Sequence, residues 1–545
     1  MPITDQSVLL SGGAVFTADT RRLWTEAVVF HGGTIAATGS REDLTARFPE
    51  AVEVDVTGRT VVPGFIDAHN HFLATGESLA AINARFPACA SVDQLVADLA
   101  AAAESTPRGQ WISAFGFDDA KYPQPLTRWD LDAASLDHPI RVYHVSGHHV
   151  FVNSKALAMR GIDERTQDPQ GGRFVRDSGG RLTGLCLDAA MNLILPVAVD
   201  IGSHGPNFHT ATTIDESVAA VDRASRAFVQ AGLTTVCDAQ VTSRELTAYE
   251  EARSRGVLGV RTVCMPLSHQ LDALLDLGLT TGFGDDHLRL GAMKFYADGS
   301  LIGGTACFHD AYGENADLEG SMYWEPGQFE DAVRRAHMAR WQIGVHVQGD
   351  QAMGMVLDAI EAAVNLAPRD HRHRLEHAGY PTPELIAQIA RLGMVTVNQP
   401  SYLRDSGDDF LTRLGERAQR LQPLRDELDA GVAVVLSSDS DVASYRPLDT
   451  IASALERRTL SGAAIGLDQA MTLDEALLAH TRTAAYALQI DDRLGSLVAG
   501  AKADVVILDG DLRTSEPREI RETPTWLTVL DGRVVYAAKD APSWG

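Results

Sequence analysis

Hydrophobic and polar positions in this chain follow two different periods, and the two alternate in a regular order. The first sixty residues hold short alternating runs, SVLLSGGAVFT, EAVVFHGGTIAATG and AVEVDVTGRTVVPG, punctuated by Gly-Gly and Thr-Gly. Alternation without a helical period predicts strands joined by tight turns. The same texture returns at the far end in ADVVILDGD, TWLTVLDG and RVVYAA. Residues 1–62 and 491–545 are therefore expected to pair into one small composite β-sandwich domain, since domain termini often lie close together.

Between the ends, β-rich runs alternate with amphipathic helical stretches. Eight runs stand out: TVVPGFIDAH, GLTTVCDA, VRTVCM, LGAMKFYADGS, QIGVHVQGD, HRLEHAG, MVTVNQP and AVVLSSDSDV. Two helix starts carry capping boxes, Thr213 with Glu216 and Thr472 with Glu475, which satisfy free backbone N–H groups of a first turn. Strand and helix alternating over residues 63–490 predict an α/β fold, a (β/α)8 barrel of the TIM type. The stretch from about 73 to 212 breaks the rhythm. It holds two further β-like runs, WISAFGF and IRVYHVSGHHVFVN, and a Gly-rich piece, QGGRFVRDSGGRLTG. It reads as a large insertion after the first barrel strand, packed over one end of the barrel.

Composition narrows the function classes. A chain of 545 residues, 45% hydrophobic, can bury a large interior and is unlike a disordered sequence. The net charge of −26, with no run of Lys and Arg, argues against nucleic acid as a partner. No apolar stretch reaches the roughly 18–20 residues of a membrane span. The start lacks the charged and apolar regions of a signal peptide, so a cytoplasmic location is expected. Cys89, Cys186, Cys237, Cys264 and Cys307 are odd in number and scattered, which suits reduced, buried thiols better than disulfides or a zinc knuckle. A homodimer is the default oligomer.

Barrel enzymes carry their chemistry at the C-terminal ends of the strands, so the polar residues that close the eight runs deserve the closest reading. Run one closes with Asp67-Ala68-His69-Asn70-His71. In extended chain, residues i and i+2 face the same side, so His69 and His71 can reach one metal. The plainer reading is two histidines in a polar loop. Run five holds His346, run six ends at His377 and run eight reaches Asp439 after four apolar residues. Four imidazoles and a carboxylate at strand ends suit zinc or a similar divalent ion. Lys294 sits inside the apolar run LGAMKFYA, where an ammonium is costly unless paired or neutralised. Either it forms a salt bridge to Asp298, or it reacts with CO2 to a carbamate that bridges two metals as a carboxylate does.

PGFIDAHNHF, MKFYADGSL, VHVQGD, RLEHAG and SSDSDV, in this order, resemble the amidohydrolase superfamily. More narrowly they resemble its amidohydrolase-3 family, the group of YtcJ-like and N-substituted formamide deformylase-like proteins. HPIRVYHVSGHHVFVNSKAL and GSLVAGAKADVVILD extend the likeness over nearly the whole chain. The resemblance implies a hydrolase with one or two divalent metals, zinc first among them. His69 and His71 would hold the first, His346 and His377 the second, and carbamylated Lys294 would bridge them. Asp439 would ligate metal and shuttle the proton from water to the leaving nitrogen. The expected substrate is a small molecule with an amide-type C–N bond (N-acyl, N-formyl or cyclic).

Two departures from the family pattern bear on the pocket. Gln348 follows Val347 where relatives carry a small and then an apolar residue, and Gly147 is followed by two histidines, of which His148 is the expected pocket residue and His149 the doubtful one. Phe72, Phe151, Tyr296 and Tyr402 are expected to line the pocket beside His148 and Gln348. Deaminase members carry Glu three residues after the strand-five His and lack the strand-four Lys, whereas this chain has Gly349 and Lys294. Carbamate or ester hydrolysis stays open, as does a barrel that binds a ligand without turnover.

Overall fold

The computed structural model of the protein describes residues 7–169, 171–310 and 320–542. Residues 1–6 and 543–545 of the expected terminal domain lie outside the described residues. Each of the eight runs in the middle of the chain forms a strand: β1 (Phe65–Asn70), β2 (Leu233–Val241), β3 (Arg261–Pro266), β4 (Met293–Tyr296), β5 (Ile343–Val347), β6 (Arg374–His377), β7 (Val395–Asn398) and β8 (Ala433–Leu436).

β1, β2 and β3 pair in parallel as one arc, and β4 to β8 pair in parallel, in order, as a second. The arcs meet at both edges. A parallel bridge joins Leu267, just after β3, to Lys294 of β4. On the other side the Asp439 N–H donates to the His69 carbonyl at 2.9 Å, and the His71 N–H donates to the Ser440 carbonyl at 2.6 Å.

Two of the runs are divided, each at a glycine. TVVPGFIDAH splits into Thr60–Pro63, which belongs to another sheet, and β1. A Cβ at Gly64 between them would lie 2.2 Å from the Thr234 hydroxyl, so only glycine lets the chain cross there. LGAMKFYADGS is interrupted between Leu288–Leu290 and β4, and a Cβ at Gly291 would lie 2.6 Å from Val263.

The period of two sorts side chains into two cores. Ile66, Ala68, Cys237, Ala239, Val263, Met265, Val395, Val397 and Val435 face one cluster, closed by the helix Arg482–Ala487. Their neighbours Phe65, Val236, Cys264, Phe295, Val345, Leu375 and Val434 face the surrounding helices. Full burial of each such aliphatic side chain contributes roughly 1.5–3 kcal/mol. The helices Ile214–Gln230 and Leu473–Ala479 begin with the expected capping boxes at Thr213 and Thr472.

The two ends of the chain share one eight-stranded sheet. Ser7–Phe16 pairs in parallel with Thr60–Pro63, and Val505–Leu508 pairs antiparallel with Thr60–Pro63, Val506 opposite Val62. Val8, Leu10, Val28 and Phe30 from the N-terminal strands share one core with Val505, Ile507, Leu527 and Val529 from the C-terminal ones. The stretch after β1 folds as a separate six-stranded sheet running from Ile82–Asn83 to Leu182–Asp188. All five cysteines are free and buried. Among the described residues no helix is long and apolar enough to cross a membrane.

Candidate metal centre

The polar closing residues of the strands converge at the C-terminal ends of β1, β4, β5, β6 and β8. His69 Nδ1 lies 2.6 Å from Glu376 Oε2, which places its proton on Nδ1 and leaves the Nε2 lone pair free. That Nε2 lies 3.4 Å from Asp439 Oδ1, and His71 Nε2 lies 3.1 Å from the same oxygen. His377 Nδ1 donates to Gln399 Oε1 at 2.8 Å, so its Nε2 lone pair is free as well. Gln399 is itself held by bonds from its amide to the Val397 carbonyl and the Ser437 hydroxyl. His346 Nε2 donates to the Gly299 carbonyl at 3.1 Å, which leaves Nδ1 as its free acceptor. The His346 ring centroid stands 4.5 Å from that of His377. Ligand atoms of His69, His377 and Asp439 all lie within 4.8 Å of one another.

The electrostatics follow from burial. Burial, and then the nearby Lys294 charge, brings His69 down to about 4, and burial brings His377 to about 3. These imidazoles are neutral at ordinary pH, the form that ligates metal. Burial works against the Asp439 carboxylate, yet the surrounding histidines hold it well below its usual value. His377 and Asp439 sit in left-handed backbone, at φ 75° and 52°. Each such residue costs on the order of 1 kcal/mol, strain that persists where the surroundings enforce it.

Lys294 is fully buried beneath this group, its Nζ 4.6 Å from the Tyr296 ring centroid and without a hydrogen-bond partner. Burial lowers it to about 8, against the pull of Glu376 and Asp439. The salt bridge to Asp298 does not form. That carboxylate instead accepts backbone N–H bonds from Cys307, Gln348 and Gly349, and burial raises it to about 7.

His71, His346, His377 and Asp439 line one pocket, with His69 and Lys294 buried outside its lining. His148, Tyr296, Gln348 and Tyr402 line it too. His148 Nδ1 lies 2.9 Å from Asp188, and the Tyr402 hydroxyl donates to Asp439. Phe72 and Phe151 do not line it. The chain leaves its extended conformation at His71 to begin the helix Phe72–Ser78, so Phe72 turns into the core, 5.3 Å from the Tyr249 ring. Phe151 packs inside the inserted sheet against Phe117. His149 is buried beside His144 and lies outside the cavity lining.

Several residues of the site were not singled out in the sequence. Glu376 orients His69 and is paired with Arg374; a charged residue in a buried strand was its available signal, as it was for Lys294. Gln399 orients His377, and Phe208 packs its ring 5.0 Å from His71. Asp188, Phe208 and Arg85 come from the insertion, and spacing gives no hint of them.

The donor set suits a divalent cation. His69 Nε2 is a buried acceptor with no hydrogen-bond donor, a costly arrangement that a bound cation relieves. Outer partners on both His69 and His377 match the way ligating histidines are commonly held.

Residues 52–536 match the profile described as the amidohydrolase family, and residues 27–51 match a bacterial imidazolonepropionase-like composite domain. The chain is 30% identical to the N-substituted formamide deformylase of Arthrobacter pascens, over 97% of this chain and 98% of that protein. It is 28% identical to the putative amidohydrolase YtcJ of Bacillus subtilis, over 96% and 98%. An uncharacterized metal-dependent hydrolase from Pyrococcus horikoshii shares the fold at a TM-score of 0.75 and 22% identity, over 94% of this chain and 99% of that one.

Proposed function

This chain belongs to the amidohydrolase family, and on that premise we propose that it is a metal-dependent hydrolase of a small amide, cleaving the C–N bond of an N-acyl, N-formyl or cyclic substrate. We read the two parallel arcs, residues 63–490, as one (β/α)8 barrel, and residues 1–62 with 491–545 as its composite β-sandwich. The observation that carries the reading is the convergence of ligand atoms of His69, His377 and Asp439, with the buried His69 Nε2 lone pair unshared.

His69 and His71 would hold one divalent ion and His346 and His377 a second, zinc being the first expectation, with Asp439 as a further ligand. Lys294 would bridge them as a carbamate. Its amine, unpartnered and easily neutral, suits reaction with CO2. When bound, such ions polarise a carbonyl and lower the pKa of water. Asp439 is placed to take a proton and to release it toward the leaving nitrogen. The Tyr402 hydroxyl, bonded to Asp439, orients that carboxylate. Gln348 Oε1 is buried and unpartnered, and suits an amide N–H of the substrate. His148, its Nδ1 tied to Asp188, presents Nε2 to the cavity.

The deaminase alternative fares worse. A Cβ at Gly349 would stand 1.9 Å from the Cys307 carbonyl, so the position where those relatives carry Glu has no room for any side chain here. Assay of the metal-loaded protein against N-formyl, N-acyl and cyclic amides tests the proposal. Release of amine and acid is expected from at least one class, and Lys294→Ala should abolish it. Turnover that is equal in wild type and Lys294→Ala would overturn the assigned role of the lysine. Ammonia from ring amines with no amide cleavage would overturn the substrate class.

A further inference from the structure

A second, roomier pocket opens beside the one lined by the candidate metal ligands. The two share a wall built from Arg85, Gly116, Val145, Tyr402, Asp441 and Val442, so they lie side by side as an inner and an outer chamber, with the strip of wall between Arg85 and Tyr402 as the neck between them. Fourteen large apolar side chains are exposed among the described residues. Three of them, Leu79, Phe86 and Leu460, at 43%, 45% and 45% exposure, line the outer chamber, and none lines the inner one. Ile302, Val442 and Tyr445 extend the same apolar lining. Clustered exposed apolar groups rimming a cavity mark a surface that ligand covers.

Most of the charged side chains around the outer chamber already have hydrogen-bond or ion-pair partners. Arg85 donates to the carbonyls of Val442 and Asp441. Lys121 donates to the Asp405 carbonyl, and Arg404 pairs with the Asp405 carboxylate. Asp441 faces the Arg85 charge across the neck. Gly116 makes the crossing possible, because a Cβ there would lie 2.3 Å from Arg85 Cγ.

We propose that the outer chamber binds an uncharged, extended apolar substituent of the scissile amide, so that the preferred substrates are long-tailed amides whose head reaches the metal-lined chamber through the Arg85–Tyr402 neck. This rests on the proposed metal-dependent amide hydrolysis. It adds a size and polarity class that the metal centre by itself does not require.

Straight-chain hydroxamates, with a metal-seeking head and tails of two to ten carbons, test the proposal by calorimetry on the zinc-loaded full chain without turnover. Burial of methylenes predicts tightening of up to about fourfold per carbon once the tail passes the neck. The double variant Phe86→Ala/Leu460→Ala should lose roughly tenfold of the long-tail affinity, at nearly two methylenes' worth of lost contact, and bind acetohydroxamate as wild type does. A terminal carboxylate or ammonium on the tail should cancel the gain. If acetohydroxamate binds but affinity does not rise with length, the outer chamber is not the tail site while the metal reading stands. A rise with length that the double variant leaves intact overturns the assignment to this chamber. If no hydroxamate binds the zinc-loaded protein, the metal reading fails and this inference falls with it.

Discussion

The protein buries two groups of three or more histidines at opposite ends of the same strands, and they differ in one respect. At the C-terminal ends, His69, His346 and His377 each spend one ring nitrogen on an orienting bond and leave the other free. At the N-terminal ends, next to the starts of β5 and β6, every bond is closed. The Ile343 N–H donates to His373 Nδ1, His373 Nε2 donates to His337 Nδ1, and His337 Nε2 donates to the Ala367 carbonyl. His371 Nδ1 accepts from the His373 N–H, and the same residue has a hydrogen bond with the Leu392 backbone. Histidine proximity alone therefore says little about function. A buried lone pair without a donor, facing a carboxylate, separates the site from the staple.

The largest effect that would sharpen this contrast is expected at Asp439. Asp439→Asn should lower kcat by about a thousandfold or more, on the order of 4 kcal/mol, and release bound metal; a variant retaining near-normal turnover and metal would break the comparison at its centre. Gln399→Ala removes only the bond that orients His377, so metal affinity in a chelator competition should weaken by about 10- to 100-fold. His373→Asn should do the reverse. Its bonds hold β5 and β6 starts together, so urea denaturation should show a loss of about 1–3 kcal/mol, while metal content and kcat stay at the wild-type level.

The smallest effect is a pH dependence. Burial lowers His371 to about 4, below the ordinary histidine value near 6.5. Between those values the unfolded chain binds a proton that the folded chain refuses, so stability falls as pH drops from about 6.5 toward 4. The Tm of metal-loaded protein should decline over that window, and less steeply in His371→Gln. An identical slope in both would exclude the staple as a contributor.

Much of the proposed site is legible in the sequence because strand period and candidate chemistry coincide there. His69, His71, Lys294, His346, His377 and Asp439 close or interrupt apolar runs, and the eight runs form strands. Phe72 failed because the period of two was carried one residue past the point where the chain turns into a helix. Glu376 precedes His377 in sequence but orients His69 on a distant strand, and Gln399, just past β7, orients His377 on the neighbouring strand, so neither pairing shows in local spacing. Asp188, Phe208 and Arg85 reach the cavities from the inserted segment, whose docking depends on long-range packing that no local spacing encodes. The glycine breaks at Gly64 and Gly291 depend likewise on what packs across them.

Metal analysis of the purified, metal-loaded and desalted chain tests the central claim most directly. The account predicts one or two equivalents of divalent metal in the wild type and in the His371→Asn/His373→Asn double variant, and a loss in His69→Ala/His377→Ala. Less than one equivalent in a normally folded wild type, or metal that follows His371 and His373 instead, would contradict it.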